Sequence, residues 1–172
     1  MTSHQLSCET LTTRCWVLER LKVNNVKFER LRHPPAATTE AQSYLRRHTP
    51  TMAVKAMLVC GLKQWGEWAF AVLAVNGDRR VDFRAAGSFL DLRKVGMASK
   101  CDAERVFLCA SGTFPPFTPS TNVPVVFDSA IYDAGERCVI GSGEPGISLI
   151  VKTEDVVAAF ATAITSISKD YS

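Results

Sequence analysis

Met52-Ala53-Val54-Lys55-Ala56-Met57-Leu58-Val59 is a run of eight residues, apolar except for one lysine. It has the length and content of a buried strand. Trp68 to Val75 repeats the pattern with no charge at all, too continuously apolar to face water on either side. Asn76-Gly77 follows as a turn and predicts a hairpin into Arg79 to Phe83. Upstream, Val26 and Phe28 alternate with Lys27 and Glu29, which predicts a strand ended by His33-Pro34-Pro35. Downstream, Val123 to Phe127, Arg137 to Ile140 and Gly146 to Lys152 read as further strands.

Helices fall between and around these strands. Thr10 to Val23 is amphipathic, and Thr39-x-x-Gln42 is a capping-box start for a helix to about His48. Ala85 to Leu92 and Asp102 to Ala110 read as short helices, the second capped by Asp102 and stopped by Gly112. Glu154 to Ile167 reads as a long closing helix. Hairpins mixed with helical crossovers predict one α/β domain with a curved, mixed, barrel-like sheet and surrounding helices. Residues 1–25 are expected to form an N-terminal helical extension packed on a domain of residues 26–172.

At 172 residues the chain suits one core, and 47% hydrophobic with 22% charged residues excludes a disordered or fibrous protein. The longest apolar runs fall short of a membrane span, and residues 1–11 lack the basic and apolar regions of a secretory signal. Six cysteines without a C-x-x-C pair or zinc-ligand spacing predict reduced thiols in a cytoplasmic protein, with neither metal nor cofactor. Residues 1–105 hold 17 Lys and Arg against 10 Asp and Glu, whereas residues 106–172 are net acidic. A basic half attracts a polyanion, although ordinary solvated surface has the same composition.

Lys55 is the foremost candidate for chemistry. A buried ammonium is costly unless paired, so Lys55 either lies on a solvated face or points into a polar pocket. In a pocket it holds phosphate or a developing oxyanion. Gly112-Thr113-Phe114-Pro115-Pro116-Phe117-Thr118-Pro119 is either a rigid loop bringing a backbone N–H to a ligand or a turn anchored by its phenylalanines. Gly141-Ser142-Gly143-Glu144-Pro145-Gly146 either cradles a ligand or is a plain hairpin turn. Because a strand follows it, a dinucleotide fingerprint is excluded. Asp128 either caps the next segment or points into a site. The histidines His4, His33 and His48 are scattered and give no catalytic triad. Trp65 and Trp68 flank a turn, available for packing or for stacking on bases.

From about Val26 to Phe160, these pieces in this order resemble the YbaK/prolyl-tRNA-synthetase-associated editing domain family. The similarity is carried by His33-Pro34-Pro35, Thr38-Thr39-Glu40-Ala41, the Lys55 strand, Gly77 to Asp82, Gly112 with Pro115-Pro116-Phe117, Val123 to Asp128, and Gly141-Ser142-Gly143-x-x-Gly146. The resemblance implies an aminoacyl-tRNA deacylase acting in trans on a mischarged tRNA, with a small amino acid and tRNA-Pro favoured. It implies Lys55 as the catalytic residue. Gly112, Thr113, Pro115, Pro116, Phe117, Asp128, Gly141, Ser142, Gly143 and Ser148 are then the substrate-binding set. Aminoacyl-tRNA is the implied partner, with a synthetase or multi-synthetase complex as a further one. The alternatives are a catalytically silent tRNA-binding or synthetase-docking module, and a small-molecule amide or ester hydrolase. This chain departs from the family at Gly141-Ser142-Gly143, where the cysteine-removing branch has Ser-Gly-Gly. It also has Ser148 in place of an acid, Ala56 where alanine-removing branches have asparagine, and Thr118 where glycine is common. The amino acid removed is therefore unassigned at this level.

Overall fold

The computed structural model describes residues 16–35 and 48–170. The helix expected from Thr39 lies outside the described residues, as do residues 1–15. Helix α1 spans residues 16–23 and puts Val17 and Leu21, both fully buried, into the main core. The remaining elements are β1 (Phe28–Arg32), β2 (Val54–Leu62), β3 (Trp68–Asn76), β4 (Arg79–Val81), α2 (Phe83–Leu90), β5 (Arg93–Met97) and α3 (Lys100–Phe107). There follow β6 (Val125–Asp128), β7 (Arg137–Gly141), β8 (Ile147–Lys152), α4 (Thr153–Phe160), β9 (Ala163–Thr165) and β10 (Ser168–Asp170). Short 3₁₀ turns at Pro50–Met52 and Ser129–Ala134 complete the set.

The class is the expected mixed α/β. Among the described residues the strands form three separately bonded sheets, ordered β5-β2-β3-β6-β9, β1-β8-β7 and β10-β4. In the largest, β3-β6 and β6-β9 are parallel and the other pairs antiparallel. One parallel bridge, Ala53 to Val139, ties the β1-β8-β7 sheet to the start of β2.

The two apolar strands are buried on both faces. Val54, Leu58, Val72 and Ala74 face the main core with Phe107, Phe117 and Phe127, while Val59, Ala71, Leu73 and Val75 face a second core with Ala86, Val126 and Ile167. Each valine, leucine, isoleucine or phenylalanine among them contributes roughly 1.5–3 kcal/mol of burial. This two-sided burial is why β3 reads as an unbroken apolar run.

Four sequence expectations need correction. Asn76-Gly77 does not close a hairpin onto β3. The Gly77 N–H and Asn76 Nδ2 bond back to the carbonyls of Ala53 and Thr51 (2.7 and 2.8 Å), and β4 pairs with β10. The closing helix stops at Phe160, after which β9 joins β6 in parallel and β10 joins β4. Helix α3 starts one turn early, with Ser99 as its cap: the Ser99 hydroxyl accepts from the Asp102 N–H at 3.0 Å. That helix ends at Leu108 in the left-handed region (φ 51°), four residues short of Gly112. Helix α2 begins at Phe83, two residues early, because the Asp82 carboxylate accepts from the Arg84 and Ala85 N–H groups.

Candidate functional site

Strand β2 bonds to β3 along its whole length, but β5 covers its other edge only from Val59 onward. The Leu58 carbonyl points to that second edge, where it accepts from Ala98 N–H. Strand alternation puts the Ala56 backbone groups on the same side, beyond the reach of β5. A cleft of about 570 Å³ opens there. Its walls are Ala53 to Met57 of β2, the Ser111–Phe114 loop, the ends of β7 and β8, and His33 with Pro35 after β1.

Lys55 sits in this wall, half-buried, and its Nζ donates to the Arg79 carbonyl at 2.6 Å. Arg79 is itself fixed, its Nε donating to Ser168 Oγ (2.6 Å) and its guanidinium to Asp170 (2.8 Å). The β4–β10 ribbon thus holds the lysine at the rim, and both readings of its position are met in part: it is neither fully solvated nor fully enclosed. Cys60 is absent from the lining. It lies five residues on, so its side chain leaves the opposite face of the strand.

The Gly112 loop lines the same cleft. Gly112 is exposed in a left-handed conformation (φ 87°), while Thr113 is buried and folds the turn by donating its hydroxyl to the Ala110 carbonyl at 2.6 Å. The loop lies directly on Gly141. A Cβ there would collide with the Thr113 and Phe114 carbonyls, so that position must be glycine for the wall to close. Pro115, Pro116 and Phe117 do not line the cleft. Phe117 is 1% exposed, stacked on Phe160 (4.0 Å between centroids) and edge-on to Trp16, and it anchors the loop from beneath.

Of the expected substrate-binding set, Gly112, Thr113, Gly141 and Ser148 line the cleft together with Lys55. Ser142, Gly143 and Asp128 do not. Ser142 Oγ donates to the Ile147 carbonyl (2.8 Å) and accepts from Glu144 N–H, which shapes the hairpin turn. Gly143 packs against Cys109 and Val17. Asp128, 1% exposed, caps the Ser129–Ala134 turn through Ala130 N–H and accepts from Ile167 N–H at 2.8 Å.

Two titratable cleft residues were missed by the sequence reading: His33, 2.9 Å from Ser148 Oγ, and Glu144. Their neighbours lie far along the chain, and only the antiparallel β1–β8 register, Phe28↔Val151 to Arg32↔Ile147, could have signalled the first. Trp65 and Trp68 are 72% and 58% exposed at the β2–β3 turn, seven residues along β2 from the lysine, roughly 23 Å away. Cys109 and Cys138 are buried outside the cleft lining, and burial pushes both thiols up to about 11. Among the described residues no group of three His, Cys, Asp or Glu side chains could hold a metal ion, and no helix is long and apolar enough to cross a membrane.

An open cleft beside a sheet edge, lined by a lysine and a glycine turn, has the concave form of a small-ligand site. The chain belongs to the aminoacyl-tRNA editing domain family, whose model matches residues 33–159. It is 24% identical over 135 residues to the multifunctional Ser/Thr-tRNA deacylase ProXp-y of Escherichia coli K12, covering 78% of this chain and 80% of that protein. Among solved structures it resembles the hypothetical protein APE2540 (TM-score 0.78, 19% identity, 90% of this chain and 99% of the other). It also resembles a candidate trans-editing enzyme for prolyl tRNA synthetase (TM-score 0.74, 16% identity, 91% and 97%). At these identities the structural likeness concerns the fold.

Proposed function

We propose that this chain is a trans-acting deacylase that hydrolyses the ester between a small amino acid and the 3′-terminal ribose of a mischarged tRNA, tRNA-Pro among the candidates. The observation that carries this reading is that Lys55 and the Gly112–Thr113 turn line one cleft together. Membership of the editing family supports it. The Ser/Thr-tRNA relative makes seryl and threonyl esters the first to test.

An aminoacyl ester is already activated, so catalysis reduces to placing a water and stabilising the charge that develops on the carbonyl oxygen. In this scheme the ester carbonyl lies between Lys55 and the loop backbone. Water adds to the carbonyl carbon, and the negative charge on the carbonyl oxygen is met by the ammonium and by N–H groups near Gly112. The carbon–oxygen bond to the ribose then breaks. The ribose oxygen takes the proton lost by the water, releasing the free amino acid and an intact tRNA end. A neighbouring ribose hydroxyl is well placed to orient the water. Pocket size sets selectivity only coarsely, since one methylene changes it by about 1–3 kcal/mol.

Deacylation of alanyl-, cysteinyl-, seryl- and threonyl-tRNA by the wild type and Lys55→Ala tests the reading. One ester should be cleared, and the variant should lose about 100- to 1,000-fold in kcat. Survival of every ester while tRNA still binds, with steep salt dependence, would make the chain a silent tRNA-binding module instead.

A further inference from the structure

The scheme above leaves one end of the cleft without a role. His33 and Ser148 meet there because β1 and β8 are antiparallel neighbours and the pairing continues through His33 N–H to the Gly146 carbonyl at 2.9 Å. His33 Nδ1 lies 2.9 Å from the Pro34 carbonyl, and its Nε2 lies 2.9 Å from Ser148 Oγ. A carbonyl only accepts, so in the neutral ring Nδ1 carries the proton and Nε2 offers its lone pair. In that form Ser148 Oγ–H donates to Nε2. With its proton committed, and at 2% exposure, the serine turns toward a ligand as an acceptor only. Glu144, from the turn that leads into β8, is the one carboxylate among the described residues that line the cleft. The described lining thus holds both kinds of group: Lys55 brings donors and positive charge, whereas Ser148 and Glu144 bring acceptors and negative charge.

We propose that Ser148, oriented by His33, and Glu144 form a subsite for a primary ammonium, the free α-amino group of the aminoacyl ester. This rests on the deacylase reading and deepens it. The α-ammonium is one carbon removed from the carbonyl and, in its protonated form, carries positive charge and three N–H donors. Seated against Ser148 and Glu144, it turns the carbonyl toward Lys55 and the Gly112 loop. An N-acylated ester has lost that charge and two of the donors. It would leave Glu144 facing an amide and Ser148 without its partner, and sites built for a hydrogen-bonding group reject analogues that lack it. The subsite therefore confines hydrolysis to free aminoacyl esters and spares N-acylated ones, the chemistry of peptidyl-tRNA. In this arrangement His33 is a positioning residue that acts through Ser148.

The test compares kcat/KM for the ester identified by the panel with that for its N-acetylated counterpart. The enzymes are the wild type, Glu144→Gln, Ser148→Ala, His33→Phe and His33→Gln. The wild type should favour the free amine by about 100-fold or more. Glu144→Gln and Ser148→Ala should each lower that ratio about tenfold or more, by slowing the free amine alone. His33→Phe should follow Ser148→Ala, whereas His33→Gln, which keeps an acceptor oxygen, should retain most of the preference. A ratio does not depend on the folded fraction, so a merely destabilised variant leaves it unmoved. Equal cleavage of both esters by the wild type would overturn the subsite and leave the deacylase standing. A ratio unchanged in Glu144→Gln and Ser148→Ala would overturn it equally. If the panel yields no cleaved ester, the deacylase reading and the subsite fall together.

Discussion

Asp128 shows at the scale of one residue how sequence and structure divide the work. Its position at the end of an apolar strand suits a cap or a catalytic acid equally well, because both need a carboxylate where a strand stops. What separates them is Ile167, whose N–H the second carboxylate oxygen accepts from 39 residues away. Asp128→Ala removes the cap on Ala130 and strands a buried N–H, so it should cost about 2–4 kcal/mol in urea denaturation. Deacylation per folded molecule should stay near the wild-type value. Normal stability with lost activity would instead return Asp128 to the site. Lys55 was legible because a single charge in an apolar run has few ways to be accommodated. His33 was not, since its meaning lies in Ser148, 115 residues on.

Individual elements were legible where burial is two-sided or a turn is chemically marked, and illegible where pairing is supplied from afar. The β2 and β3 runs announce themselves by composition, and the Gly141–Gly146 turn by its glycines. Strand β5 does not, because Arg93-Lys94 opens it and it lies at a sheet edge. Its partner β2 absorbs a register shift between Cys60 and Leu62 to meet it. The segment after Phe160 read as helix because Ala161, Ala163 and Ile164 continue an apolar pattern. Parallel pairing to β6 overrides that preference. The consequence reaches the cleft, since β10 holds the β4 strand whose Arg79 carbonyl receives Lys55. Capping gives a direct check at this scale. Ser99→Ala should cost about 1 kcal/mol of stability as the α3 cap. Asp102→Ala, which breaks exposed contacts to Ser99 Oγ and Arg105, should cost less. The reverse order in a thermal melt would restore the cap assignment read from the sequence.

For the whole molecule, the order of short motifs from His33 to Gly146 was enough to find the family. The division of the strands into three sheets was beyond it, because sheet closure depends on bonds between strands that composition does not encode. The same packing sets how the fold answers to pH. Cys109 and Cys138 sit in the main core, and burial raises both thiols from an ordinary 9.0 to about 11. Above pH 9 the unfolded chain releases these protons while the folded chain still holds them. The unfolded state then binds fewer protons, and stability must fall as pH rises. The loss is bounded at roughly 2–3 kcal/mol per thiol, accumulating between about pH 9 and pH 11. Urea melts of the wild type and of Cys109→Ala/Cys138→Ala at pH 8, 9, 10 and 10.5 would measure it. The double variant starts lower because it carries two small cavities, yet its alkaline slope should be shallower than that of the wild type. Parallel slopes would mean that the two thiols reach water in the folded state, and the core described around them would have to be redrawn.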